Sequence, residues 1–300
     1  WPPWSAQGWK GESAVATQHD RQVDFLIIGG AKCATTWLQA SLSANPRVFM
    51  PGPELHYFSR EFDSGRPWYD AQFAAASAGD LIGEKSNSYL TEPAAADRIA
   101  TAFPAVRLVV QMRDPVERAY SDYCMLFRRG DVSADIGRYL DPDVASGARF
   151  LHDGLYAHHI DRFLHFFDRE QILLLAFEDI AAAPERQVRL VAEHIGVETS
   201  LAPPLKEKVK DRTTQVVPLP IRKLLAPFRP VLDPLRNLGP IRALRNAVAR
   251  PVAYPPLSPD LAAKMNRFFR PDIERLRVIA PDVVARWRNA GDPDRTHPRG

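Results

Sequence analysis

The stretch Asp24-Phe-Leu-Ile-Ile-Gly-Gly-Ala-Lys-Cys-Ala-Thr-Thr-Trp37 constrains this chain more than any other. Phe25 to Ile28 is a short apolar run stopped by Gly29-Gly30, which predicts a buried strand and a tight turn. Ala34 to Leu42 has helical spacing, with Trp37, Leu38 and Leu42 available for one face. A strand that passes into a helix through such a turn leaves backbone N–H groups unpaired at the helix start. Those donors, the helix dipole and the Lys32 ammonium all favour an anion, and the hydroxyls of Thr35 and Thr36 add to them. The turn therefore reads as a phosphate cradle. It departs from the nucleoside-triphosphate loop G-x-x-x-x-G-K-[ST], because Lys32 follows Gly29-Gly30 with Ala31 and not a glycine directly before it. No apolar strand ending in Asp-Glu or a lone Asp stands out as a magnesium site, so the expected ligand is a nucleotide whose terminal group needs no metal. These residues alone also fit a plain βα turn of an α/β protein.

A second basic element follows the same plan. In Arg107-Leu-Val-Val-Gln-Met-Arg-Asp-Pro-Val-Glu-Arg-Ala-Tyr-Ser-Asp-Tyr123, Leu108 to Met112 is the strand. Asp114 is placed to cap the next helix, Pro115 suits its first position, and Glu117 lies in its first turn. Arg113 stands at the strand's carboxyl end, where open parallel sheets bind ligands. With Ser121 two turns on, it is a candidate grip for a further phosphate. An Arg113 paired with Asp114 or Glu117 and a solvated Ser121 fit the pattern equally.

Taken together, the two elements resemble the sulfotransferases that use 3′-phosphoadenosine 5′-phosphosulfate (PAPS). Lys32-Cys-Ala-Thr-Thr-Trp37 is similar to their 5′-phosphosulfate loop, and Arg113-Asp-Pro-Val-Glu-Arg-Ala-Tyr-Ser121 to their 3′-phosphate element. Glu54-Leu-His-Tyr-Phe58, Gly83-Glu-Lys-Ser-Asn-Ser-Tyr89, Gly154-Leu-Tyr156 with the helix after it, and the tail from Pro259 through Phe268-Phe-Arg-Pro-Asp-Ile-Glu-Arg-Leu276 to Trp287 resemble the carbohydrate branch, the heparan-sulfate-type enzymes and their bacterial relatives. The resemblance runs from about residue 24 to 287. It departs at Pro53, where relatives often carry Lys, at Asn87, where many have Pro, and at Cys33, where Gly or Arg is more usual. The C-terminal paired cysteines of secreted animal enzymes are absent.

The resemblance implies sulfuryl transfer from PAPS to an acceptor hydroxyl, with adenosine 3′,5′-bisphosphate (PAP) leaving and no metal. It implies a donor site built from Gly30, Ala31, Lys32, Cys33, Ala34, Thr35, Thr36 and Trp37, from Arg113 and Ser121, and from Tyr156. A basic lid, Lys206-Glu-Lys-Val-Lys-Asp-Arg212, supplies Lys210 and Arg212; a solvated charged loop is the other reading of that run. Lys32 is the natural stabiliser of charge on the leaving phosphate. Glu54, after a Pro-Gly-Pro turn, is the first choice of base, and His56 the runner-up or the group that orients it. An extended segment would put the two on one side. Lys85, at the end of the strand-like Leu81-Ile-Gly-Glu-Lys85, goes to the acceptor side, with Ser86, Ser88 and Tyr89 beside it. The acceptor is a small molecule, glycan or lipid. A P-loop-type nucleotide kinase and a nucleotide-binding module without catalysis are the rival classes.

The fold expected is α/β, a three-layer parallel sheet with helices on both faces and a P-loop-like phosphosulfate-binding loop. Strands at 107–112 and 172–177 alternate with helices at 94–102, 157–167 and 184–195. The 300 residues divide into a loose arm over 1–22, one domain over 23–290 and a tail over 291–300. A Pro- and Arg-rich insertion spans 218–256, with basic amphipathic pieces at Ile221–Leu225 and Ile241–Arg245. It is expected to pack as helices on the domain, or to touch a membrane surface. The 39 basic and 36 acidic side chains leave a charge of only +3, which argues against nucleic acid as partner. Two cysteines do not make a disulfide framework, so a reduced, cytoplasmic setting is expected. His158-His159 is the only histidine pair in sequence, and neighbouring side chains on a helix diverge, which makes it a poor metal pair. No signal peptide is evident, and the chain opens Trp1-Pro-Pro-Trp4 without Met, as a trimmed sequence would.

Overall fold

The computed structural model describes residues 22–197 and 251–287. Residues 1–21 of the expected arm, the lid with Lys210 and Arg212, residues 218–250 of the insertion and the C-terminal tail lie outside the described residues.

Five short strands make one parallel sheet in the order β2-β3-β1-β4-β5. They are β1 (Phe25–Gly29), β2 (Val48–Phe49), β3 (Leu81–Lys85), β4 (Arg107–Met112) and β5 (Ile172–Ala176). Every residue of β1 is buried, as expected of a central strand covered on both faces. Its Ile27 lies opposite Lys85 of β3 and Val109 of β4. The chain leaves β1 toward the β2–β3 side and crosses back to β4, so the sheet changes direction at β1. A crevice at the carboxyl ends follows from that topology.

The helices are α1 (Thr35–Ser43), α2 (Gly65–Ala71), α3 (Ala95–Ala102), α4 (Pro115–Arg129), three single turns α5 (Gly137–Leu140), α6 (Pro142–Ala145) and α7 (Arg149–His152), then α8 (Tyr156–Leu164), α9 (Asp179–Ala182), α10 (Pro184–Ile195), α11 (Pro259–Ile279) and α12 (Pro281–Val284). Strand side chains alternate between faces. Phe25, Ile27, Val109 and Leu175 meet Trp37, Leu38 and Leu42 of α1 and Val188, Val191 and Ile195 of α10. On the other face Leu26, Ile28, Leu108, Val110 and Met112 join a larger core with α3, α4, α8 and α11. The two glycines of the later motifs serve packing. A Cβ on Gly83 would lie 2.2 Å from the Phe25 ring, and one on Gly154 would lie 2.8 Å from Phe269.

Capping fixes the helices that carry the site. Asp114 Oδ1 accepts from the N–H groups of Val116 and Glu117 at 3.0 and 3.1 Å, worth about 1 kcal/mol. The start of α8 is capped from α11: the Asp272 carboxylate accepts from Ala157 N–H and His158 N–H, each at 2.9 Å. That contact anchors Tyr156, the first residue of α8. Among the described residues no helix is long and apolar enough to cross a membrane.

Candidate active site

The predicted groups converge because each follows the carboxyl end of a strand. The loop after β1 carries Gly30 to Ala34, β3 ends on Lys85, β4 runs into Arg113, and Glu54 follows edge strand β2. In the first loop Lys32 and Ala34 adopt left-handed backbone, φ 69° and 62°, a conformation most residues avoid. The loop is anchored where Gly30 N–H donates to Gln111 C=O at 2.7 Å. A Cβ on Gly30 would sit 3.2 Å from Cys33 Sγ and 3.4 Å from the Tyr156 ring, so glycine lets the loop lie close to its supports. Lys32 is half-buried, and its Nζ lies 3.5 Å from Met125 Sδ of α4. The cation is thereby held between the first loop and the second phosphate element.

The side chains of two residues of this loop turn into the fold. Trp37 puts its ring into the core, only 6% exposed, and its N–H donates to Ala34 C=O at 2.9 Å. It supports the loop from below. Cys33 is fully buried, and burial pushes its thiol up to about 11. It points into the fold.

Arg113 lies 3.1 Å from Glu117 and stacks over the Phe177 ring at 4.6 Å. Its guanidinium is thus oriented and carries a half-exposed counter-charge. Ser121 is on the buried side of α4, which corrects the solvated reading. Tyr156 is also buried, where desolvation holds its hydroxyl well above the usual phenol range. Its Oη accepts from Arg113 N–H at 3.3 Å, donates to Arg113 C=O at 3.0 Å, and lies 3.5 Å from Cys33 Sγ. The hydroxyl therefore joins the two phosphate elements from beneath. The pairing of strands and motifs gave no sign of this link, because it is made to backbone.

On the other side, Glu54, His56 and Lys85 come together. Lys85 is buried, and its Nζ donates to Glu54 Oε1 at 2.7 Å; the solvated lysine is excluded. Burial alone would raise the Glu54 carboxyl. The Lys85 ammonium and the Asn87 N–H overcome that and hold it below the usual carboxylate range. His56 Nε2 lies 3.8 Å from Glu54 Oε2, and Nδ1 is 2.8 Å from Ser88 Oγ. Burial, then the neighbouring Arg60 cation, pushes the His56 pKa down, so its ring is neutral near pH 7. The segment is not extended as expected: His56 is left-handed, φ 54°. This bend is what sends Tyr57 and Phe58 into the core while Glu54 and His56 stay at the cleft. Tyr89 and Ser86 of the β3 group turn from the site toward buried Glu84. The Ser86 hydroxyl donates to Glu84 Oε2 at 3.3 Å, and the Tyr89 hydroxyl donates to the same carboxylate at 2.5 Å.

Three features were not anticipated. Asn87 contacts both Glu54 oxygens and Thr35. Glu178, in Phe177-Glu178-Asp179 just after β5, accepts from Asp114 N–H at 3.1 Å through Oε1, and its Oε2 is buried without a protein partner. Burial raises its carboxyl. An apolar strand running into acidic residues does therefore exist, at β5. Finally, His152 of α7 joins His158 and His159, with one ring nitrogen from each within 4.8 Å of the others. The adjacent pair is thus less divergent than expected. His159, however, has its ring nitrogens against His152 C=O at 2.9 Å and the Arg162 guanidinium at 3.0 Å, which commits both.

Known proteins with this pattern form a consistent set. The model of the Sulfotransferase family matches residues 62–200. The mouse heparan sulfate glucosamine 3-O-sulfotransferase 6 is 31% identical over 176 residues, covering 57% of this chain and 52% of that protein. The human protein of the same name is 28% identical over 255 residues, covering 82% and 68%. The chain is thus similar to sulfotransferases in its sequence over residues 62–200 and in its relatives. It spans about half the length of the mouse relative. The fold agrees with that of a sulfotransferase from Alicyclobacillus acidocaldarius, with a TM-score of 0.65 and 24% identity over 89% of this chain and 99% of that one. The family match at 62–200 takes in Lys85 and Arg113, while the loop at Gly30–Trp37 and Glu54 precede it.

Proposed function

We propose that this chain is a sulfotransferase that transfers the sulfuryl group of PAPS to a hydroxyl of a glycan acceptor, with PAP as the leaving product. The observation that carries the reading is the meeting of three groups at neighbouring strand ends: the Lys32 loop, the Arg113 element and the Glu54–Lys85 ion pair at 2.7 Å. The residues present suit such a donor. One cationic loop of close-approaching backbone and one oriented guanidinium match two phosphate positions. Lys32, with the backbone and hydroxyls of Thr35 and Thr36, would hold the 5′ side, and Arg113 with Ser121 the 3′ side. When bound, PAPS supplies the activated sulfuryl group.

The chain's own residues do the rest. Lys32 neutralises charge at the 5′ phosphate. Glu54 Oε1 is taken by Lys85 and by the Asn87 amide. Among the described residues Oε2 accepts only from the Asn87 backbone N–H and faces His56, so it is the atom with room to receive the acceptor proton. A carboxylate held below the usual range is a weak base, which suits a loosely bonded transition state in which the proton leaves late. The glycan class rests on the relatives, whose names specify heparan sulfate glucosamine.

The test pairs labelled PAPS with labelled ATP, each with and without chelator, over a panel of glycans including heparan sulfate, with mass spectrometry for an added sulfonate. Label arriving from PAPS alone, unaffected by chelator, is the expected result. Label from ATP, dependent on magnesium, would instead identify a P-loop-type kinase.

A further inference from the structure

Asn87 touches both the donor loop and the candidate base. Its backbone N–H donates to Glu54 Oε2 at 3.1 Å, and its side-chain Nδ2 donates to Glu54 Oε1 at 3.2 Å. Its Oδ1 accepts from Thr35 Oγ1 at 2.8 Å. The orientation of the amide is settled by chemistry: an ionised carboxylate only accepts, so the NH₂ end must face Glu54 and the oxygen must face the hydroxyl. The three contacts bracket the short gap between β3, which ends at Lys85, and the first turn of α1, which begins at Thr35.

We propose that Asn87 is a positioning residue for the transfer step: it fixes both oxygens of Glu54 and ties that carboxylate to the donor loop through Thr35. The proposal rests on the reading above for the roles of Glu54 and the loop. Two things follow from the donor count. A threonine hydroxyl has one proton to give, so a Thr35 that turns to a phosphate oxygen releases Asn87 Oδ1, and filling of the loop is felt one contact from the base. Conversely, the Nδ2–Oε1 bond remains, so the carboxylate keeps its aim while the loop changes partner. Aspartate at this position would keep the oxygen for Thr35 but set a second carboxylate against Glu54.

The test reads the Glu54 carboxyl directly. Protein carrying ¹³C-labelled glutamate is titrated by NMR, with the Glu54 signal assigned by its loss in Glu54→Gln. Asn87→Ala should move the Glu54 midpoint up by about 0.5 pH or more, and Asn87→Asp further, because the lost side-chain donor and an added like charge both disfavour the carboxylate, while the backbone N–H stays. PAP affinity by calorimetry should stay within about threefold of wild type in Asn87→Ala, which frees Thr35 for the phosphate and adds no charge beside the loop. A merely structural asparagine would lower the melting temperature and leave the Glu54 midpoint in place. Midpoints in both variants equal to wild type would overturn the proposal, even if PAP binds normally. Failure of wild-type protein to bind PAP would instead refute the proposed donor, while the Glu54 titration would still decide the role of Asn87.

Discussion

Lys85 Nζ and Glu54 Oε1 stand 2.7 Å apart, one side chain from the end of a buried strand and the other from the loop after the sheet edge. The ammonium is almost fully buried and the carboxylate about one quarter exposed. The pair therefore sets the charge state of the candidate base. Because the folded carboxyl is held below its usual value, the ionised form persists as pH falls and is lost only as pH passes through that lowered value. The acid limb of the pH–rate profile should lie below about 4.5 in wild type. Lys85→Met leaves burial as the dominant influence and should carry the limb upward by ~1–2 pH. An acid limb that stays put in Lys85→Met would remove Glu54 from the chemistry.

Glu54→Gln keeps the shape and two of the neighbouring contacts but accepts no proton at its amide. Turnover should fall by ~10²–10⁴, while PAP affinity, measured by calorimetry, stays within about threefold. The loss should appear in kcat, since the group acts on the acceptor proton and not on the nucleotide.

Arg113→Ala should do the reverse. Its guanidinium, oriented by Glu117 and Phe177, is assigned to the 3′ phosphate. A charged hydrogen bond of about 1.5–3 kcal/mol corresponds to roughly 10- to 150-fold weaker PAP binding. Binding of adenosine 5′-phosphate, which lacks the 3′ group, should change little. The partly exposed Arg113–Glu117 pair adds little to folding, so the melting temperature is a fair control.

Much of this arrangement was legible in the sequence, and the rest was not, for identifiable reasons. Four of the five strands, the glycine turn, the Asp114 cap and the helix at 184–195 followed from apolar runs and local chemistry, which are short-range signals. The placing of Arg113 at a ligand-binding strand end followed from a topological rule, whereas Glu54 and Lys85 were brought to the site by the resemblance alone. What stayed hidden depends on contacts distant in sequence. Tyr156 reaches the backbone of Arg113, 43 positions away. Asn87 reaches Thr35, 52 positions away. The left-handed bend at His56 belongs to a residue type with no strong preference for it. Such links become visible only when the chain is folded.

Tyr156→Phe isolates one of those links. It keeps the ring in the core and deletes the hydroxyl shared by Arg113 and Cys33. A buried hydrogen bond of ~1 kcal/mol is lost from stability, and the two phosphate elements lose a common support. Thermal unfolding should register the first, and PAP calorimetry a several-fold loss for the second. Unchanged PAP affinity would mean that the elements are held together by packing alone.

Glu84 gives a stability test independent of turnover. It is fully buried with the hydroxyls of Tyr89, Tyr69 and Ser86 around it, and burial pushes its carboxyl up to about 7. A folded-state value above the unfolded one stabilises the fold below about pH 4.5, and that contribution is lost as pH rises through 7. The full effect is on the order of 3 kcal/mol. Glu84→Gln should flatten the dependence, with its melting temperature above that of wild type at pH 8 and closest to it near pH 5. Parallel curves for the two proteins would contradict a neutral, buried Glu84.

The central claim is that the Lys32 loop and Arg113 together hold a nucleotide phosphorylated at both 3′ and 5′ positions. Calorimetric titration of PAP into the folded protein, with chelator present, tests it most directly. The account predicts one site of roughly micromolar affinity, at least about tenfold weaker for adenosine 5′-phosphate and similarly weakened by Arg113→Ala. No heat of association with PAP, or equal affinity for the nucleotide lacking the 3′ phosphate, would contradict it.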